Sequence, residues 1–214
     1  MTELEQEPAV AAELFGDRVE LARQFTADLA REGELRGLIG PLELPRLWSR
    51  HVVNSALLAP LLRPGRVGDV GSGAGLPGLV LAIARPDVHL VLIEPMERRV
   101  DWLTEESTAL GLDNVTVVRA RAEDAVQDAG LDQVTARAVS ALSKLLPITA
   151  PLLRAGGEFV FMKGARVDEE VAAAQKVIRK LGLTDVSTQI LGEHLAEPTR
   201  VFRAILPERQ YFAG

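Results

Sequence analysis

A chain of 214 residues, 47% of them hydrophobic, is long enough for one good-sized domain with an added segment and short for two independent ones. It holds no cysteine, which excludes disulfides, thiolate metal sites and cysteine nucleophiles; its three histidines, His51, His89 and His194, form no close ligand pair, so no metal site is expected. The net charge of −6 argues against a general nucleic-acid coat, because nonspecific affinity comes from neutralising phosphates, although PRLWSRH, LLRPGR and MERR are basic islands that leave a local basic face open.

The opening stretch MTELEQEPAVAAELFG is acidic and has neither a basic flank nor an apolar run, so no signal peptide is expected. No segment approaches bilayer-spanning length, and the expectation is a cytoplasmic protein without membrane contact. Residues 1–64 read as a helical segment packed on the core. Val19, Ala22, Phe25 and Leu29 recur at helical spacing, RLWSRHVVNSALLAPLL carries a second apolar face, and Gly40-Pro41 and Pro45 separate the two.

From residue 65 to 214 the pattern changes. Short β-branched runs at 66–71, 89–94, 115–120, 133–138 and 157–164 alternate with helical patterns beginning near Leu76, Met96, Ala122, Ser143 and Asp168. Val171, Ala174, Ile178 and Leu181 make the last helix the clearest, with Gly182 as its stop; Ser143 and Asp168 are candidate N-caps. Strands at 186–193 and 200–207 follow with no helix between them and should pair as an antiparallel hairpin. The prediction is an α/β fold: a Rossmann-like, seven-stranded sheet with one antiparallel strand and helices on both faces.

The first strand runs into GDVGSGAGLPG, residues 68–78, which fits two ligand motifs. Gly73, Gly75 and Gly78 spell G-x-G-x-x-G, the dinucleotide fingerprint, whereas Asp69 with Gly71, Gly73 and Gly75 spells D-x-G-x-G-x-G, a turn that holds S-adenosylmethionine. The dinucleotide register displaces the turn two residues past the strand end. A carboxylate at Asp69 would also repel a diphosphate and favour the ammonium and sulfonium of S-adenosylmethionine. Glu94, at the end of the second strand, suits ribose hydroxyls in either case. The loop, the acid and the strand–helix order together favour S-adenosylmethionine as cofactor, with S-adenosylhomocysteine as product.

The runs GDVGSGAGLPGLVLAI, LIEPMERRVDWL, RAEDA, ARAVSAL and FMKG, preceded by LWSRHVVNSALL, resemble the RsmG (GidB) family over residues 42–164, with weaker support at EPTRVFRAI. The resemblance implies a class I S-adenosylmethionine-dependent methyltransferase that modifies N7 of one guanine, position 527 in the 530 loop of 16S ribosomal RNA, in the small subunit or its precursor. It also implies cofactor contacts at Gly71, Leu76, Ala122, Glu123 and Arg137. Glu94 stands where many relatives have Asp, and either acid accepts ribose hydrogen bonds.

The residues suit that chemistry. Without cysteine, methylation of pyrimidine C5 through a thiol adduct is excluded, and ARAVS lacks the Asn/Asp-Pro-Pro run that orients an exocyclic amine. Guanine N7 carries a free lone pair at neutral pH, so a positioning mechanism with no proton-transfer residue is expected. Arg137, at the end of the fourth strand, could hold a carboxylate or a phosphate through a forked contact; the alternative is a salt bridge fixing its loop. Lys163, His51 and Arg200 are further substrate candidates, with a solvated strand end as the plain reading of Lys163 and helix–sheet packing as that of Trp48, His51 and Asn54. Residues alone leave open a methyltransferase for a small molecule or a protein, a nucleotide-binding redox protein and a noncatalytic RNA-binding module.

Overall fold

A computed structural model describes residues 3–125 and 129–208. Seven strands, β1 (Gly65–Val70), β2 (Val88–Ile93), β3 (Val115–Val118), β4 (Leu131–Arg137), β5 (Leu153–Lys163), β6 (Thr184–Leu191) and β7 (Thr199–Ile205), form one sheet in the order β3-β2-β1-β4-β5-β7-β6. The first five pair in parallel, and β7 runs antiparallel to both β5 and β6. The seven strands, the terminal hairpin and the single antiparallel strand are as the sequence pattern predicts.

Helices α1 (Val10–Phe15) and α2 (Val19–Glu32) lead into a π-helical segment, Leu47–Val53, continued by the short α3 (Asn54–Ala56). Helix α4 (Gly78–Ala84) links β1 to β2, and α5 (Glu97–Ala109) links β2 to β3. Helices α6 (Leu142–Thr149) and α7 (Val167–Leu181) follow β4 and β5. The helix expected from Ala122 shows a turn over 122–125, and its continuation falls outside the described residues.

Strand order then explains which face each helix covers. The connections through α4 and α5 step one way from β1, and those through α6 and α7 step the other way from β4. Right-handed crossovers therefore put the two helix pairs on opposite faces. The side chains alternate to match: Leu90 and Leu92 enter a cluster with Leu79, Ile83 and Trp102, while Val91 and Ile93 enter one with Leu145, Phe159, Phe161 and Ile178. Val160, Met162 and Val201 face the first cluster beyond the reach of α4 and α5. Phe25, Leu29, Trp48 and Val52 join that same cluster, so the N-terminal segment closes the part of that face that α4 and α5 leave bare.

Two helix starts differ from the sequence reading. Neither Ser143 nor Asp168 caps a helix, since α6 and α7 begin one residue earlier in each case and make no side-chain cap bond. Glu170, on α7, supplies the missing acceptor across space: its carboxylate takes the Leu142 N–H at 3.1 Å.

Candidate active site

The crevice opens at the carboxyl ends of β1, β2 and β4, where a parallel sheet changes direction and ligands of such folds bind. It encloses about 590 Å³. Of the residues the sequence singles out for a cofactor, Gly71, Gly73, Leu76, Glu94, Ala122, Glu123 and Arg137 line it.

The glycine turn is built for close approach. Gly71, Gly73 and Gly75 all have positive φ, at 71°, 56° and 89°. A Cβ on Gly71 would stand 2.9 Å from Val139 Cγ2, and one on Gly75 would stand 2.5 Å from Leu79 Cδ1. Gly75 thus lets α4 close under the turn and is absent from the crevice wall. At Gly73 a Cβ would meet nothing nearer than Gly71 O at 3.7 Å, so its side faces open space.

Glu94 secures this turn from the β2 side. One carboxylate oxygen accepts the Gly73 N–H at 3.0 Å and the other accepts the Met96 N–H at 3.0 Å. A carboxylate oxygen has a second lone pair, so both oxygens retain acceptor capacity toward a pair of hydroxyls. Trp102 adds a tie that the sequence did not disclose: its indole N–H donates to Ala74 O at 3.0 Å, joining α5 to the turn.

Asp69 corrects an expectation. Expected as a carboxylate facing the cofactor, it is wholly buried and does not line the crevice. One of its oxygens accepts the Gly78 N–H at 3.0 Å, because the first turn of α4 has free donors and Asp69 sits directly beneath them. Its other oxygen has no hydrogen-bond partner. Burial pushes the carboxyl up to about 7 against the pull of Ser72, Gly78 and the Arg137 charge.

A second crevice of about 720 Å³ adjoins the first, between the ends of β4, β5 and β7 and the N-terminal segment. His51, Arg137, Lys163 and Arg200 all line it. Arg137, Ala138 and Val139 line both crevices and form the wall between them. Ala138 takes a φ of 53°, which turns the chain sharply at the strand end.

The surroundings of Lys163 and Arg137 depart from the plain readings. Lys163 is half-buried and paired: its Nζ lies 2.7 Å from the Glu170 carboxylate and donates to Ser140 O at 2.9 Å. Arg137 has no salt bridge among the described residues and donates instead to His51 Nδ1 at 2.9 Å. Burial draws it down to about 10, opposed by Asp69, so it keeps its charge at neutral pH. Trp48, His51 and Asn54 are all buried between the N-terminal segment and the sheet, the helix–sheet packing expected of them. Trp48 enters the core, His51 meets Arg137, and Asn54 bonds Thr199. Sequence reasoning missed Glu43, which accepts a hydrogen bond from His51 Nε2 at 2.6 Å from eight residues upstream. Glu43 lies outside the π-helical segment that carries His51, so no single element's periodicity relates the two.

The sheet order, the glycine turn and the acid at the end of β2 define a class I S-adenosylmethionine-dependent methyltransferase fold. A methyltransferase of that cofactor class from Aquifex aeolicus superposes with a TM-score of 0.57 over 81% of this chain and 97% of its own, at 19% identity, a likeness of fold alone. The family described as rRNA small subunit methyltransferase G matches residues 18–199. Two relatives carry the name ribosomal RNA small subunit methyltransferase G. The one from Leifsonia xyli is 68% identical over 94% of this chain and 97% of its own length, and the one from Clavibacter michiganensis is 65% identical over 94% and 96%. The chain belongs to this family.

Proposed function

We propose that the protein transfers the methyl group of S-adenosylmethionine to N7 of a guanine in 16S ribosomal RNA, position 527 of the 530 loop. Its substrate is the small ribosomal subunit or its precursor in the cytoplasm. Family membership supports the substrate class. The observation that carries the reaction is the pair of crevices sharing the Arg137–Val139 wall, one lined by the glycine turn and Glu94 and the other by Arg50, Lys163 and Arg200.

In this reading Gly71, Gly73, Leu76, Glu94, Ala122, Glu123 and Arg137 hold the cofactor, and Asp69 and Gly75 support the turn. Glu94 accepts the ribose hydroxyls, and Arg137 presents a fixed positive charge to the methionine carboxylate. Arg137, His51, Lys163 and Arg200 border the substrate. Bound S-adenosylmethionine supplies an electrophilic methyl group on a sulfonium, and the in-plane lone pair of N7 needs no base to attack it. The protein's task is alignment and exclusion of water, and no side chain is assigned a proton transfer. Lys163 is already engaged by Glu170, so its part is to shape the crevice edge.

N7 lies on the Hoogsteen edge, so the guanine must be presented unstacked or in an open loop. An acidic protein gains little nonspecific affinity for RNA and depends on the shape of a folded particle. Small subunits from cells lacking the gene, incubated with labelled S-adenosylmethionine, should acquire 7-methylguanosine at one position by mass spectrometry. A naked RNA hairpin should be a poor substrate. Labelling elsewhere, or none, overturns the target assignment; equal turnover on hairpin and particle overturns the dependence on assembly.

A further inference from the structure

Arg137 is a cation at a strand end whose orientation must be set by something other than an ion pair. Its side-chain partner among the described residues is His51 Nδ1. Arginine only donates, so Nδ1 must accept and carry no proton. The ring proton then sits on Nε2, which donates to Glu43 Oε2 at 2.6 Å. The two contacts specify one neutral tautomer from opposite sides. Burial and the Arg137 charge also push His51 below its ordinary range, outweighing Glu43. Glu43 is held in turn by Arg46 at 2.8 Å.

A carboxylate in place of His51 would orient Arg137 equally well, but it would neutralise the guanidinium and draw it away from an anionic ligand. A neutral acceptor orients the cation and leaves its charge available. We propose that His51 is a positioning residue for methyl transfer: a neutral Nε2–H imidazole, braced by Glu43, that fixes the Arg137 guanidinium in the wall common to both crevices. This rests on the reading that the first crevice holds S-adenosylmethionine. It gives the N-terminal segment a part in the reaction, since Glu43 and His51 both lie there and Arg137 is on the sheet.

The test is calorimetry of S-adenosylhomocysteine binding, which reads the wall without turnover, with thermal unfolding measured alongside. His51→Ala should weaken binding about tenfold, a loss of one oriented ionic contact. His51→Asn, whose amide oxygen can stand near the Nδ1 position, should restore most of it. His51→Ala should have no further effect in an Arg137→Ala background, because the residue acts through that arginine. Should His51→Ala fail to fold, Glu43→Ala replaces it, with a smaller loss that also vanishes in the Arg137→Ala background. The proposal is overturned if the Ala and Asn variants bind alike, or if the effects of the His51 and Arg137 substitutions multiply. Wild-type protein that fails to bind S-adenosylhomocysteine would instead overturn the cofactor reading, so the two failures are distinguishable.

Discussion

Glu94 and Gly78 are two single residues on which the crevice turns, for different reasons. Glu94 spends both oxygens on backbone donors of the turn and the segment after β2. Glu94→Ala should therefore lose the proposed ribose acceptor and loosen the turn together, leaving S-adenosylhomocysteine binding undetectable by calorimetry in a folded protein. Gly78 works by absence: a Cβ there would lie 2.4 Å from Leu92 Cδ2 and 2.5 Å from Asp69 Oδ2. Gly78→Ala should cost about 1–3 kcal/mol by overpacking, read from urea unfolding. The third glycine of the rejected dinucleotide register thus has a packing role between α4 and the sheet. This is why two motifs could be laid over one loop: both need the helix to press on the strand, and the pattern of glycines alone does not say which ligand lies above.

At the scale of elements, helices α2 and α5 meet around a poorly matched acid. Glu106 on α5 is buried, and one of its oxygens has no partner. Burial, with Asp28 and Glu32 on α2 adding to it, pushes its carboxyl up to about 7, while Arg31 and Arg36 oppose them. An acid raised in this way binds its extra proton in the folded state between the ordinary carboxylate range and about 7. Its contribution to stability is then full below that range and is lost as pH rises toward 7. Asp69 carries the same sign. Glu106→Gln should leave stability near that of the wild type at pH 5 and raise it by about 1–3 kcal/mol at pH 8, measured by urea unfolding at both values. An equal change at the two pH values would show that the buried charge is not the cause. Periodicity in the sequence locates α2 and α5 but carries no sign of this contact, which exists only because the two helices share one sheet face.

Across the whole molecule, helices α4 and α5 cover only part of one sheet face, and the N-terminal segment fills the rest. Phe25, Leu29, Trp48 and Val52 share a buried cluster with Leu79, Leu92, Val160 and Val201. A chain beginning at Leu62 should lack a cooperative unfolding transition by circular dichroism; a clean two-state melt would establish the sheet region as an independent unit. The second crevice needs the same segment, because His51 and Asn54 line it opposite Lys163 and Arg200. The buried cluster and the second crevice are thus both built in part from the N-terminal segment.

The sequence by itself determined the strand count, the terminal hairpin, the glycine turn and Glu94 as its acid, because each is written in local spacing: alternation, a positive-φ glycine, a residue at a strand end. It also carried the family through contiguous runs. Only the tertiary structure decided that Asp69 lies beneath the turn, that Lys163 pairs with Glu170, and that Glu43, His51 and Arg137 form one chain of hydrogen bonds. Those partners sit in different elements, as far apart along the chain as the 86 residues between His51 and Arg137, so no one element's periodicity relates them. Burial and pairing of charge depend on which surfaces the fold brings together, and no local pattern encodes that.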